Sequence, residues 1–507
     1  MSSRKITTLE SLTAIAQQWR DAGKRLVLCH GTFDLMHAGH IKHLQRARQE
    51  GDLLIVTVTA DAYVNKGPGR PVFPQTIRAD SLAALSCVDY VAINSAETAL
   101  NVIAALRPDI YVKGGEYQDE AADVTGNIRR EREAVEAVGG AIFFTHEETF
   151  SSTQLLNNFF GIFTEETKSY LATMRDAVSA ETLIEQLNQL RSLRVLVVGD
   201  TIVDEYCYTS PLGQSGKGNV LAVRYQDEER FAGGAVAVAN HLAGFSDAVT
   251  LLSVLGSQNS YQDFIQSKLQ ASVTPHFFMR DDDQTLVKRR FVDPDMAKLF
   301  EVYLYSGHPL PTAVEAQLLA WLEASAADFD LVVVPDFGNG MITPAMVAAL
   351  GKQARFLAVN AQINAGNRCY HAVTRYPRAD FLSLNEPELR LAMHNASGSL
   401  DDLAATLGQR MGAQGVAVTR GTKGVLLHEV SGAQQHEVPA LSTRVIDRIG
   451  AGDAFLSLAA LTLAGGLGGS VAAFIGSVAA ALEVQTVCNR EPVAPVQLFK
   501  YLKTLLK

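Results

Sequence analysis

Two stretches hold residues whose types and spacing can do chemistry. The first is Cys29-His-Gly-Thr-Phe-Asp-Leu-Met-His-Ala-Gly-His40, which crowds His30, His37 and His40 around Gly31 and Gly39, out of twelve histidines in the chain. Imidazoles among glycines suit phosphate, because a ring N–H can donate to a phosphoryl oxygen and glycine lets the backbone approach a ligand closely. Zinc is the competing chemistry: His37 and His40 stand at i, i+3, with Cys29 or His43 available as a third ligand. Capping or surface roles would account for any one of these histidines alone, but explain the glycines poorly. The second stretch is Asp447-Arg-Ile-Gly-Ala-Gly-Asp453. Its Gly-Ala-Gly turn can offer backbone N–H groups to an anion, and Asp453 can be a general base or a plain helix cap.

Elements must carry these groups. Arg25–His30 reads as a short apolar strand, Ile41–Glu50 as a helix ending at Gly51, and Leu53–Thr59 as a buried strand. Asp89–Ile93 and Asp109–Val112 follow as further strands. Such alternation predicts a parallel, doubly wound sheet, and in such a sheet the turn holding His37 and His40 lies at the ligand-binding carboxyl edge. Thr164–Leu190 reads as a polar helical connector without strands. From Arg194 the pattern restarts with RVLVVGD, VTLLSVLG, DLVVVPDFGNG, ARFLAVN, ADFLSLN and GVAVTRG, a second and larger α/β domain. The expected division is 1–163, a linker at 164–190, and 191–507, with no repeat relating the halves.

The bounds agree. A chain of 507 residues is too long for one core. Its 44 Lys+Arg against 54 Asp+Glu give −10, which argues against a general nucleic-acid binder. Cysteines 29, 87, 207, 369 and 488 form no CxxC pair, which fits a reduced, cytoplasmic protein. The N-terminus lacks the apolar core of a signal peptide. Ala454–Leu482 carries no charge, but Gly-Gly pairs at 465–466 and 468–469 cut it into two pieces, so two buried helices are expected and no membrane span.

GTFDLMHAGH resembles the G-x-F-D-x-x-H-x-G-H signature of the nucleotidyltransferase superfamily that makes activated alcohols and sugars. The likeness extends to Lys66-Gly67, Arg70-Pro71-Val72, Arg78, Tyr111–Tyr117 and Phe150–Thr153, and is greatest to the nucleotidyltransferase half of bacterial bifunctional heptose-phosphate kinase/adenylyltransferases. The resemblance implies a Rossmann-like domain in which a sugar-phosphate oxygen attacks a nucleotide α-phosphorus and pyrophosphate leaves. His37 and His40 would stabilise the α-phosphoryl group. Thr32, Phe33, Lys113, Ser151, Ser152 and Thr153 would bind the nucleotide, and Asp34 and Arg70 the acceptor.

The Asp447–Asp453 stretch resembles the D-x-x-G-A-G-D motif of ribokinase-type sugar kinases. Gly199-Asp200 with Asp204, Gly233-Gly234-Ala235, Asn385–Glu388 and Thr419–Gly424 follow that family's order. The resemblance implies that Asp453 takes the proton of a sugar hydroxyl while Gly450, Ala451 and Gly452 hold the γ-phosphate. Asn385 and Glu388 would serve the Mg²⁺–ATP side, with Glu388 toward the metal, and Gly421 and Gly424 would lie near the nucleotide. Asp200, Asp204, Gly233, Gly234 and Asn240 would face the acceptor. Three departures from the heptose enzyme stand out: Ala237 replaces a sugar-touching Asn, Asn360-Ala361-Gln362 replaces Asp-Pro-Lys, and Ser210–Asn219 lacks a Pro-rich strand. The domain order is also inverted.

The expected fold class is therefore α/β with two doubly wound domains, a Rossmann-like nucleotidyltransferase and a ribokinase-like kinase. The expected function is phosphorylation of a sugar or polyol, itself free or phosphorylated, with ATP, then nucleotidyl transfer from ATP or CTP, with Mg²⁺, toward a nucleotide-activated sugar for surface glycans. Sugars, sugar phosphates and nucleoside triphosphates are the expected partners, in a homodimer or higher homo-oligomer. The alternatives are a nucleotidyltransferase whose kinase-like half only binds a ligand, and a non-enzymatic scaffold.

Overall fold

The structure, a computed structural model, describes residues 5–64, 70–118, 127–145, 163–368 and 370–507. The chain divides into two compact units, one of Met1–Thr164 with Phe499–Lys507 and one of Glu165–Leu498.

The first unit is built on five strands, β1 (Leu26–Gly31), β2 (Leu53–Thr59), β3 (Tyr90–Asn94), β4 (Ile110–Gly114) and β5 (Ala141–Thr145). All pair in parallel, in the order β3-β2-β1-β4-β5. Successive side chains leave opposite faces of a strand, so a sheet covered on both faces needs continuous apolar runs. Val27 and Cys29 accordingly join one buried cluster with Leu54, Val56 and Leu44, while Leu26 and Leu28 join another with Leu53, Ile55 and Ile103. The strand order reverses between β1 and β4, and both candidate anion-binding segments of this unit, the turn after β1 and the end of β4, lie at that reversal.

The second unit holds a nine-stranded sheet ordered β10-β9-β6-β13-β14-β15-β16-β17-β18. Its strands are β6 (Arg194–Val198), β9 (Ala248–Gln258), β10 (Val273–Gln284), β13 (Leu331–Asp336), β14 (Leu357–Ala361), β15 (Phe381–Asn385), β16 (Gly415–Thr419), β17 (Val425–Glu429) and β18 (Gln434–Val438). Pairing is parallel through β16 and antiparallel beyond it. A separate four-stranded sheet, β12-β11-β7-β8, comes from β7 (Thr201–Gln214), β8 (Leu221–Gly234), β11 (Val287–Val292) and β12 (Lys298–Leu304). Nothing in the apolar periodicity anticipated this second sheet, because its strands mix charged and apolar residues. Ser210–Asn219 forms the outer part of its long hairpin.

The expected connector differs from its polar reading. It forms two helices, Glu165–Ala177 and Ala180–Gln189, which bury Leu171, Met174, Leu183, Ile184 and Leu187 within the second unit. The uncharged stretch near the end forms helices Ala451–Ala464 and Gly469–Glu483. They approach closely because Gly476 lacks a side chain: a methyl there would meet Phe455 at 2.8 Å. No described helix is long and apolar enough to cross a membrane.

Candidate active sites

The three histidines of the first turn have different tasks. His30, at the end of β1, is tied to the neighbouring strand: Nδ1 lies 2.9 Å from Thr57 Oγ1 and Nε2 3.4 Å from Thr59 Oγ1. His37 is the N-cap of helix Ala38–Arg48, its Nδ1 accepting from Gly39 N at 3.1 Å. That cap starts the helix three residues ahead of the expected Ile41. With Nδ1 accepting, the neutral ring carries its proton on Nε2, and burial holds its pKa below the usual imidazole value. The ring of His40 packs on His37 with centroids 4.0 Å apart, and Phe33 meets it edge-on at 5.7 Å. The turn thus delivers two imidazoles, side by side, to a helix N-terminus. Its backbone is bent sharply, with Phe33 and Leu35 at φ 49° and 50°.

Around this turn the predicted ligand groups hold one another. Asp34, buried, accepts from Arg70 Nη1 at 3.0 Å, Val72 N at 2.9 Å and Phe73 N at 3.1 Å. Arg78, also buried, donates to Thr32 O at 2.6 Å and Thr59 O at 2.8 Å. Asp34 and Arg70 therefore fix the loop over the turn, a structural task the sequence reading did not foresee. Lys113, at the end of β4, pairs with Glu131 at 2.8 Å beneath the Tyr117 ring. His43 and Cys29, the zinc alternatives, have other surroundings: His43 Nδ1 is 2.7 Å from Thr145 Oγ1 and Cys29 is fully buried in β1. The one described trio of metal-ligating side chains, Glu205, Cys207 and Glu228, includes none of these residues, and Glu205 is already paired with Arg230 and Arg289. Lys66, Gly67, Ser151, Ser152 and Thr153 lie outside the described residues.

In the second unit Gly450, at φ 91°, turns the chain into helix Ala451–Ala464, with Asp453 in its first turn. Asp453 is pushed up to about 7 by burial and by the charge of Asp204, with Glu388 adding and Lys288 opposing. Those four groups share one electrostatic environment. Asp204, in β7, is buried and pairs with Arg290. Gly233 makes room for it, since a methyl there would overlap the Asp204 carboxylate. Gly234, at φ 63°, is crowded as well, since a methyl there would overlap Asp200 O. Asp200 follows β6; its Oδ1 accepts from Met341 N at 3.3 Å, while Oδ2 is buried without a partner. Burial and the neighbouring Asp336 push it up to about 6. Asp200 lines a cleft with Arg280, Tyr305 and Asn339, and both amide atoms of Asn339 are also buried without partners.

Asn385 and Glu388 form a capping box: Asn385 Oδ1 accepts from Glu388 N at 2.9 Å and Glu388 Oε2 from Asn385 N at 2.8 Å. Glu388 Oε1 takes Ile363 N at 3.1 Å, and burial raises its pKa. Gly421 and Gly424 bound a short turn after β16, where a methyl on Gly424 would overlap Val438 O. Asn240 has a structural task the sequence reading did not foresee: its Nδ2 donates to Lys268 O and its Oδ1 accepts from Gln270 N, both at 2.9 Å, so it ties two segments of backbone together.

Three groups were missed. Lys288 and Arg290 stand at i, i+2 on β11 and so share a face; the alternation in VKRRFV is a signal that could have revealed them. Lys288 is buried with no ion pair among the described residues, 5.2 Å from the Tyr303 ring centroid, and burial lowers its pKa. Asp336 ends β13 and accepts from Tyr376 Oη at 2.7 Å beside His371 and Arg375.

Residues 28–158 match the family described as cytidylyltransferase-like, and residues 192–494 the family described as pfkB family carbohydrate kinase. Among curated relatives, the Bifunctional protein HldE of Syntrophotalea carbinolica is 45% identical over 140 residues, 27% of this chain and 27% of that relative. The protein of the same name from Geotalea uraniireducens is 46% identical over 143 residues, 28% of each. The aligned stretch thus spans less than a third of these relatives' length. A ribokinase from Thermotoga maritima is a similar solved structure, with 18% identity, a TM-score of 0.49, and coverage of 61% of this chain and 99% of that one. With the kinase family matched over more than half of its length, the chain belongs to the pfkB family of carbohydrate kinases and carries a cytidylyltransferase-like domain ahead of the kinase domain.

Proposed function

We propose that the chain performs two reactions: its kinase unit phosphorylates a sugar or polyol with ATP, and its first unit links a sugar phosphate to a nucleotide taken from a nucleoside triphosphate. The kinase reading rests on one observation above the others, the carboxylate of Asp453 in the first turn of a helix entered through Gly450-Ala451-Gly452. A helix N-terminus favours the negative charge of a phosphoryl group. Asp453 takes the proton of the attacking hydroxyl, whose oxygen bonds to the γ-phosphorus as the bond to the β-phosphate oxygen breaks. The acceptor is polyhydroxylic on this reading, because Asp200 Oδ2 and both amide atoms of Asn339 line one cleft without partners and need hydroxyl groups to satisfy them.

The surroundings of Asp453 suit a divalent cation: the carboxylates of Glu388 and of Asp204, itself paired with Arg290, act on it against the charge of Lys288. Mg²⁺ would neutralise phosphate charge there. Glu388 would serve it with the lone pair each of its oxygens keeps after accepting one backbone N–H, directly or through water.

In the first unit the sugar-phosphate oxygen attacks the α-phosphorus and pyrophosphate leaves. His37 and His40 donate to the α-phosphoryl oxygens as charge accumulates, the task of an oxyanion hole. ATP and CTP are both candidates for the donor, and the nucleotide-activated product suits glycan assembly.

The test is a panel of sugars, polyols and their monophosphates with ATP, followed by the product with each nucleoside triphosphate. ATP consumption on one acceptor, lost in Asp453→Asn, and pyrophosphate release, lost in His40→Ala, are the expected results. A wild-type protein that releases pyrophosphate but phosphorylates nothing would replace this reading with that of a ligand-binding kinase-like unit.

A further inference from the structure

Behind the Gly450 turn lies a buried polar group that phosphoryl transfer as described does not use. Glu483 is the last residue of helix Gly469–Glu483 and is 1% exposed. Its Oε1 has no hydrogen-bond partner, and neither has Asn489 Oδ1. Both oxygens converge on the same glycine: a methyl on Gly450 would overlap Asn489 Oδ1 and stand 2.9 Å from Glu483 Oε1. The amide of Asn489 is oriented by its Nδ2, which donates to Cys488 Sγ at 3.8 Å.

Two acceptor oxygens facing one spot need a hydrogen between them. His241 Nε2 lies 3.9 Å from the other oxygen, Glu483 Oε2, beyond hydrogen-bond reach. His241 cannot supply charge either. Its Nδ1 accepts from Val493 N at 3.1 Å, which leaves the ring neutral. The other charged groups facing Glu483 are Asp453 and Asp447, and both oppose a third negative charge. Asp447 is held ionised by Lys298 Nζ at 2.8 Å and Tyr206 Oη at 2.6 Å. The C-terminal end of a helix is also the negative end of its dipole, so an anion at Glu483 is unfavourable from every side.

We propose that Glu483 serves the phosphoryl-transfer site as an uncharged carboxylic acid, a positioning residue whose hydroxyl faces Asn489 Oδ1 and whose side chain props the Gly450 turn from behind. The proton supplies the missing donor, and neutrality keeps negative charge away from a turn that must receive a phosphoryl group. The carboxyl is pushed up to about 9, first by burial and then by Asp453 and Asp447. Turnover therefore falls as pH rises through that value, when an ionised Glu483 repels the phosphoryl group and loosens the turn. This role rests on the kinase reading of the Gly450–Asp453 turn; the protonation state does not.

The experiment has two arms on the full chain. In the first, infrared spectra of wild type carry a protonated-carboxyl C=O band that Glu483→Gln lacks and that disappears as pH rises through about 9. Thermal melting adds a sign. The folded chain keeps a proton that the unfolded chain has released, so Glu483 costs stability between its ordinary 4.5 and about 9. Glu483→Gln then melts higher than wild type at about pH 8, and the gap closes toward about pH 5. A missing band at neutral pH, or a Gln variant that melts lower at about pH 8, overturns the neutral acid in favour of an ionised pair with His241. The second arm needs an acceptor. Glu483→Leu should lower kcat by up to about 10²-fold, the cost of a misplaced site, with KM for ATP moved less. Glu483→Gln should restore that turnover and abolish the alkaline fall. An alkaline fall unchanged in Glu483→Gln overturns the positioning role. Inactivity of wild type on every acceptor counts against the kinase reading and leaves the first arm standing.

Discussion

A histidine that caps a helix can be replaced by another capping residue without loss of fold, and this separates the two tasks of His37. Asn caps well, so His37→Asn should keep the helix Ala38–Arg48 while removing the Nε2–H donor; His37→Ala loses both, at about 0.5–2 kcal/mol for the cap. Either change should lower nucleotidyl transfer by about 10²–10³, the cost of one oxyanion-type donor, with kinase turnover unaffected. Equal pyrophosphate release by His37→Asn and wild type would reduce His37 to a cap. Asp453 gives a pH signature. As a base it must be ionised, so kcat should rise with pH through about 7, and Asp453→Asn should lose about 10²–10⁴ in rate together with that limb. The same raised value costs stability: between the ordinary 3.8 and about 7 the folded chain keeps a proton that the unfolded chain has released, so stability falls as pH rises across that window. Melting curves of Asp453→Asn should be flatter there.

At the scale of the element, β11 decides how the kinase carboxylates are charged. It lies between β7 and β12, pairing Lys288 with Asp204 on one side and Tyr303 on the other. Lys288 and Arg290 point to the same face, and one of them, Arg290, is neutralised by Asp204 and Glu301. Lys288 remains to oppose the charge of Asp453, Asp204 and Asp200. Lys288→Met keeps the apolar stem and removes the charge, so the acid limb of the kinase profile should move to higher pH. An unmoved limb would mean that Lys288 only fills space between Tyr303 and Phe337. The neighbouring Gly233→Ala should break the Asp204–Arg290 pair by overlap with the carboxylate, and its expected effect is a raised KM for the acceptor.

For the whole molecule, the division of the chain predicts which function a truncation takes away. Phe499–Lys507 belongs to the first unit although it closes the sequence. Tyr501, Leu502 and Leu505 are all buried to within 1%. At about 1.5–3 kcal/mol for each buried apolar side chain, their loss is comparable with a whole unit's stability of about 5–15 kcal/mol. A chain ending at Leu498 should therefore lose nucleotidyl transfer and melt in its first unit at lower temperature, while ATP turnover on the acceptor persists. A fragment beginning at Glu165, which keeps both helices of the supposed connector, should fold; one beginning at 191 would strip Leu183, Ile184 and Leu187 from their packing.

What the sequence determined by itself was the class of fold, and it singled out the two turns proposed to carry chemistry. Apolar runs in β1, β2, β6 and β13 announce strands covered on both faces, because burial on two sides forbids polar positions. His37, His40 and Gly450–Asp453 stood out because a turn that is to bind an anion needs glycine and particular side chains at fixed local spacing. Tertiary structure decided what depends on residues far apart in the chain. Only the fold brings Lys288 of one strand to Asp204 and Asp453 of others, turns Asn240 to the backbone at Lys268, makes Asp34 and Arg70 partners of each other, and sets Glu483 behind Gly450 with no charge to pair with. Local spacing fixes which groups a turn can offer. The neighbours that set their charge are fixed by packing, which no periodicity records.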